Sequence, residues 1–148
     1  MSEYTKIYET SAINTGGRDG VSYLSDGSYE VKIATPKKLG GTGKGQNPEQ
    51  LFALGYAACF HGALELVKGQ HKVKNNSQVS QVVSLWKKPD AADFKLEVAI
   101  EVGIQDVSLE ETQKFAEAAH AICPYSKALE GNITIFVRAT DYDASKEK

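Results

Sequence analysis

The chain has 148 residues, with 17 basic against 19 acidic side chains and a net charge of −2. That is one domain's length with room for a genuine core, expected over residues 1–140 and followed by a frayed tail, 141–148. The lysines are spread along the chain rather than massed, so neither nucleic acid nor a membrane surface is expected as a partner. The first residues show no apolar run behind a basic start, and no stretch reads as the roughly 20 apolar residues of a membrane span. A cytoplasmic protein acting on a small or uncharged substrate is therefore expected, and in that reducing compartment two cysteines are more readily a transient pair than a permanent staple.

In chain order, Lys6 to Ile13 and Val21 to Leu24 are strand candidates separated by a Gly-rich turn, and Tyr29 to Ala34 alternates strictly. A second Gly-rich stretch, Leu39-Gly-Gly-Thr-Gly-Lys-Gly-Gln, follows and reads as a mobile loop. It fails as a phosphate-binding loop, because such a loop needs Gly where Lys38 stands and Ser or Thr where Gly45 stands. Asn47, Pro48, Glu49 and Gln50 supply an N-cap, a proline at the first helical position, an acid in the first turn and a capping-box glutamine. From Leu51 to Val67, His61 and Glu65 apart, the helix is apolar, small or aromatic on every face, which predicts enclosure by protein. Gly55, Cys59, Gly62 and Leu66 form a stripe along it where another element can approach. Val79 to Trp86 and Phe94 to Ile104 read as a hairpin. Ser108 opens a capping box and a helix that runs to Cys123, where Pro124 interrupts it, and Asn132 to Ala139 is a last strand. The class is α+β in the order βββαββαβ.

The two cysteines, Cys59 and Cys123, lie in helix-like segments. A thiol attacks only as thiolate. Cys59 is twelve residues past Asn47, about 18 Å along its helix, too far for that helix's own dipole to activate it. A side-chain cation is then required, and Arg18, one of only two arginines, is presented by the turn Thr15-Gly-Gly-Arg-Asp-Gly20. Glu49 offers the guanidinium a bidentate partner, yet its backbone is about 15 Å along the helix from that of Cys59. Either long side chains bridge the gap or Glu49 of the partner subunit does, so a homodimer with shared sites is expected. Singly, each residue has a plainer reading: core cysteine, turn arginine, first-turn acid, core Leu51, Phe52 and Phe60. His120 and Cys123 share a helical face and could be drawn with Cys59 and His61 as a zinc site, but Cys59 and His61 are two apart and face differently.

Five motifs in order, Thr15-Gly-Gly-Arg-Asp-Gly, Ala34-Thr-Pro-Lys-Lys-Leu-Gly-Gly, Asn47-Pro-Glu-Gln-Leu-Phe-Ala-Leu-Gly-Tyr-Ala-Ala-Cys-Phe, Cys123-Pro-Tyr-Ser and Gly131-Asn-Ile, span about residues 10 to 138. Together they resemble the organic hydroperoxide resistance (Ohr) branch of the OsmC-like family. The resemblance implies an OsmC-like fold in an intertwined homodimer, two long central helices wrapped by antiparallel sheets. It also implies a thiol peroxidase that reduces fatty-acid or aromatic hydroperoxides to alcohols. Cys59 would be the peroxidatic thiol, Cys123 the resolving thiol that closes a Cys59–Cys123 disulfide, and Arg18 with Glu49 the activating pair. Leu51, Phe52, Phe60, Ile122 and Tyr125 would line the substrate pocket. A lipoylated protein or dihydrolipoamide would be the reductant, with no cofactor and no metal. The rival readings are an OsmC-branch peroxidase of different substrate preference and a non-enzymatic stress or apolar-ligand-binding protein.

Overall fold

The structure, a computed structural model, describes residues 3–148. It falls into two compact units, one reaching to Leu51 and the other starting at Phe52. In the first unit β1 (Ala12–Thr15), β2 (Val21–Leu24) and β3 (Glu30–Lys32) form an antiparallel meander in the order β1-β2-β3. β3 is shorter than the alternation of Tyr29 to Ala34 suggested, and β1 overlaps the expected Lys6 to Ile13 strand only at Ala12 and Ile13, because a strand lasts only as long as its ladder. All four residues of β2 pair with β1, from Ala12↔Leu24 to Thr15↔Val21, and three pair with β3, from Val21↔Lys32 to Tyr23↔Glu30. After β3 the chain closes on itself: Ile33 bridges Gln46, Ala34 N–H donates to Gln46 and Gly43 N–H to Thr35. The stretch read as a mobile loop is thus tied along its length by its own backbone hydrogen bonds.

Helix α1 (Pro48–Gln70) begins as expected, with Asn47 Oδ1 accepting from Gln50 N–H at 2.8 Å and Gln50 Oε1 accepting from Asn47 N–H at 2.9 Å. In the second unit its Tyr56, Phe60, Ala63, Leu64 and Val67 pack into a core with Val98, Ile100 and Val102 of β5 (Phe94–Ile104) and Phe115, Ala116 and Ala119 of α2 (Leu109–Ile122). Burying a side chain such as Phe60 or Leu64 contributes on the order of 2 kcal/mol. By length and composition α1 is apolar enough to cross a membrane, contrary to the expectation that no stretch would be. Its buried stripe nevertheless belongs to this core. Within the single chain the enclosure stops at one face: Leu54 is 67% and Leu66 58% exposed, with Ala58 and Gly62 open between them.

β4 (Ser77–Lys87) and β5 form the expected hairpin, in register from Ser77↔Ile104 to Lys87↔Phe94. β6 (Thr134–Ala139) pairs parallel to β5, so this sheet is mixed rather than antiparallel throughout. The cause is the crossover: the chain leaves β5, passes through helices and re-enters the sheet in the same direction. Ser108 Oγ accepts from Glu111 N–H to cap α2. Pro124 ends α2 but opens a further helix, α3 (Pro124–Leu129), which adds one element to the expected order. The expected frayed tail starts with an anchored stretch. Asp143 N–H donates to Gln78 Oε1, Gln78 Nε2 donates to the Asp143 carbonyl, and Ala144–Lys146 form a 3-10 turn.

Candidate active site

Arg18 owes its position to the turn between β1 and β2. Gly16 takes a φ of 85°, and a side chain on Gly20 would meet the Thr15 carbonyl, so the chain can double back only with glycine at both places. Asn14 then closes the turn, accepting from Gly17 N–H at 2.9 Å. The guanidinium emerging from it grips Glu49 with both forks: Nη1 to Oε2 at 3.0 Å and Nη2 to Oε1 at 2.7 Å. The guanidinium holds the Glu49 carboxyl below the usual carboxylate range, partly opposed by burial. Glu49 in turn raises the Arg18 pKa, so the pair is fully ionised at neutral pH. The pairing expected between these two residues is present, and within one chain. Leu51, half-buried, lies in the same first turns of α1.

In the second unit Cys59 and Cys123 come together. Cys59 is half-buried on α1 and Cys123 is fully buried, both are free thiols, and their sulfurs are 3.7 Å apart. Cys123 owes its place to Pro124, which disfavours helical backbone at the residue before it. Cys123 is accordingly extended (φ −61°, ψ 123°), ending α2 through N–H to the Ala119 carbonyl and capping α3 through its own carbonyl to Lys127 N–H.

Burial pushes the Cys59 thiol above its ordinary pKa, and the neighbouring Cys123 adds to the rise. The Tyr125 backbone N–H, donated to the Cys59 sulfur, acts the other way. This donor is not legible in the sequence, where the dipole of the helix carrying Cys59 and the Arg18 guanidinium are the activators to weigh. It comes from the first turn of α3, an element invisible until Pro124 is seen to start a helix as well as stop one.

Of the apolar residues expected around the thiols, Phe52 and Tyr125 meet, ring centroids 6.3 Å apart, and Tyr125 and Ile122 are 41% and 42% exposed. Phe60 is corrected to core: it has no exposed surface and packs in the hydrophobic cluster. The stripe along α1 divides. A side chain on Gly55 would sit 3.2 Å from the Tyr125 hydroxyl, so α3 occupies that end, whereas Gly62 has nothing near it. Two residues that sequence reasoning passed over, Tyr56 and Ser126, share a 2.6 Å hydrogen bond in the buried layer beside the thiols. A lone tyrosine and a lone serine carry no sequence signal of that pairing.

The histidines have local partners. His61 Nε2 lies 2.8 Å from Ser77 Oγ and 3.2 Å from Glu65, and His120 Nε2 lies 3.1 Å from Glu130. Buried Lys68 donates to Glu65, Ser77 and the Asn75 carbonyl, so this cluster fastens α1 to the start of β4.

Residues 41–138 match the OsmC-like protein family. The chain is 43% identical over 136 residues to a Staphylococcus epidermidis protein named organic hydroperoxide resistance protein-like 2, covering 90% of this chain and 96% of that one. Among solved structures, an organic hydroperoxide resistance protein of Legionella pneumophila superposes with a TM-score of 0.86 at 37% identity, covering 92% and 99% of the two chains. The organic hydroperoxide resistance protein OhrB of Bacillus subtilis does so with 0.81 at 38%, covering 91% and 100%.

Proposed function

The chain belongs to the OsmC-like protein family, and on that premise we propose that it is a cysteine-based thiol peroxidase, reducing fatty-acid or aromatic hydroperoxides to alcohols. The observation that carries this reading is the 3.7 Å approach of two free thiols, one partly open and one buried. The names of its relatives support an organic hydroperoxide as substrate.

In the proposed cycle the Cys59 thiolate attacks a peroxide oxygen and the O–O bond breaks. The alkoxide leaves and takes up a proton to become the alcohol, and Cys59 becomes a sulfenic acid. The Cys123 sulfur then attacks that of Cys59, forming the S–S bond as water departs. Two thiols of a dihydrolipoyl group, on a lipoylated protein or as dihydrolipoamide, return the disulfide to thiols and are themselves oxidised to the cyclic disulfide. Burial raises the Cys59 pKa, so the thiolate needs support. The Tyr125 N–H supplies part of it, and Arg18, locked by Glu49, supplies the positive charge and orients the peroxide. Phe52, Ile122, Tyr125 and Leu51 form the apolar surroundings for the organic group. A cytoplasmic place of action fits the cycle, since a reducing compartment keeps the resting thiols open.

A homodimer belongs to the same reading. Leu54, Ala58, Gly62 and Leu66 lie four residues apart along α1 and form an uncovered row of apolar and small residues, suited to the same helix of a second copy.

The test is consumption of cumene hydroperoxide by pre-reduced protein with dihydrolipoamide, beside thioredoxin, glutathione and hydrogen peroxide. Turnover with dihydrolipoamide and preference for the organic peroxide support the proposal. Equal rates with both peroxides favour the OsmC-branch reading, and no turnover with any donor moves the function to binding.

A further inference from the structure

Tyr56 and Ser126 stand in matched places about the thiols. Tyr56 is three residues before Cys59 on α1, and Ser126 three residues after Cys123 on α3. Tyr56 shares a face of α1 with Cys59, and Ser126 lies in the first turn of the helix that Cys123 caps. The two hydroxyls meet at 2.6 Å, with Tyr56 0% and Ser126 1% exposed. Both hydroxyls are shut off from bulk solvent, and loss of one leaves the other buried without this partner.

A disulfide needs its sulfurs at about 2.05 Å, and here they are 3.7 Å apart. Closure therefore asks for a small, directed approach of the turn bearing Cys123 toward α1. The Tyr56–Ser126 hydrogen bond joins those same two segments and limits how far they can separate. The Tyr56 and Tyr125 rings, 5.6 Å between centroids, lie alongside it. We propose that Tyr56 and Ser126 are positioning residues: their buried hydrogen bond holds Cys123 within closing distance of Cys59 and so sets how much of the oxidised Cys59 is resolved rather than oxidised further. Neither residue touches the peroxide. The inference rests on the thiol-peroxidase reading for its biological meaning, but the positioning itself is a property of the thiol pair.

The competing fates are chemically distinct. In resolution the Cys123 thiol displaces the sulfenic oxygen as water and a disulfide forms. In overoxidation a second hydroperoxide gives one oxygen to the sulfenic sulfur and leaves as alcohol, producing sulfinic acid. A slower approach of Cys123 lengthens the life of the sulfenic acid and favours the second fate.

The experiment compares the wild type with Tyr56→Phe, which keeps the ring, with Ser126→Ala, and with the double variant. One equivalent of cumene hydroperoxide should be consumed at an unchanged rate by all four. Disulfide closure, followed by quenching and mass spectrometry, should slow roughly tenfold in each single variant, the scale of one lost buried hydrogen bond. The sulfinic fraction in excess peroxide should rise accordingly, and the double variant should be no worse than the singles. An unchanged partition in both folded single variants overturns the proposal, even if their melting temperatures fall. Equilibration of the four proteins with oxidised and reduced glutathione separates this inference from the peroxidase reading, because there the protein dithiol is oxidised as glutathione disulfide is reduced. A weaker tendency to close in both variants, beside a wild type inert to peroxide, would uphold the positioning and sink the peroxidase. Peroxide turnover in the wild type with unchanged closure in the variants would do the reverse.

Discussion

The sulfurs of Cys59 and Cys123, 64 positions apart in the chain, lie 3.7 Å from one another, the former half-buried and the latter sealed in the core. In the proposed cycle this asymmetry gives the pair its order, with peroxide meeting the more open Cys59 first and Cys123 following. Cys59→Ser should therefore reduce peroxide turnover to background. Cys123→Ser should still consume one equivalent and then accumulate sulfinic acid at Cys59. Mass spectrometry of the intact protein after stepwise peroxide addition checks both, and full activity in Cys59→Ser would refute the mechanism.

Arg18→Lys keeps the charge but loses the planar fork that holds both Glu49 oxygens. Folding should be normal by circular dichroism, with the peroxide rate falling roughly ten- to hundredfold, the worth of a charge-assisted hydrogen bond. Unchanged kinetics would remove Arg18 from the site.

The Arg18–Glu49 pair also carries an acid dependence whose sign is set by Glu49. Its carboxyl titrates lower in the folded protein than in the unfolded chain. The stabilisation is therefore fully present above the ordinary glutamate value of about 4.3 and is lost as pH falls through the lower folded value. With Arg18 45% exposed, solvent screens the pair and its worth is about 0.5–1 kcal/mol. Wild type and Glu49→Gln should differ by that amount in denaturant titrations at pH 7 and converge as the pH falls through the lowered value of the folded carboxyl. A gap that widens on acidification would contradict the assignment.

Gly55 sets two effects against each other. Alanine there would favour the helix by about 1 kcal/mol, but its methyl would stand 3.2 Å from the Tyr125 hydroxyl. Tyr125 is 41% exposed and can move by a few tenths of an ångström. Gly55→Ala should thus raise stability slightly, by less than about 1 kcal/mol, while shifting the ring beside Phe52 and lowering the rate with bulky peroxides. Thermal unfolding and rates with cumene and tert-butyl hydroperoxide test the two halves separately.

Much of this architecture was legible from neighbouring residues alone. The start of α1 follows from Asn47, Pro48 and Gln50, whose hydrogen bonds close within four residues, and the cap of α2 follows from Ser108. β5 has the predicted limits because its alternation is local and the core accepts one face of it. Arg18 and Glu49 were suggested as partners by complementary chemistry and their motif context, and they pair.

Other features depended on which distant segments meet. Pro124 announces an end but not a new helix, so α3 and its Tyr125 N–H could not be anticipated from a helix-stop signal. The parallel entry of β6 depends on the path through α2 and α3, and the uncovered row on α1 on where the chain's own core stops. The amino-acid pattern, acting through hydrogen bonds and periodicity over a few residues, was enough for the elements, their caps and the reactive groups. The 3.7 Å approach of Cys59 to Cys123 and the buried contact of Tyr56 with Ser126 arise from packing between α1 and the α2–α3 turn, because their separation is set by side chains far apart in sequence that fill one core.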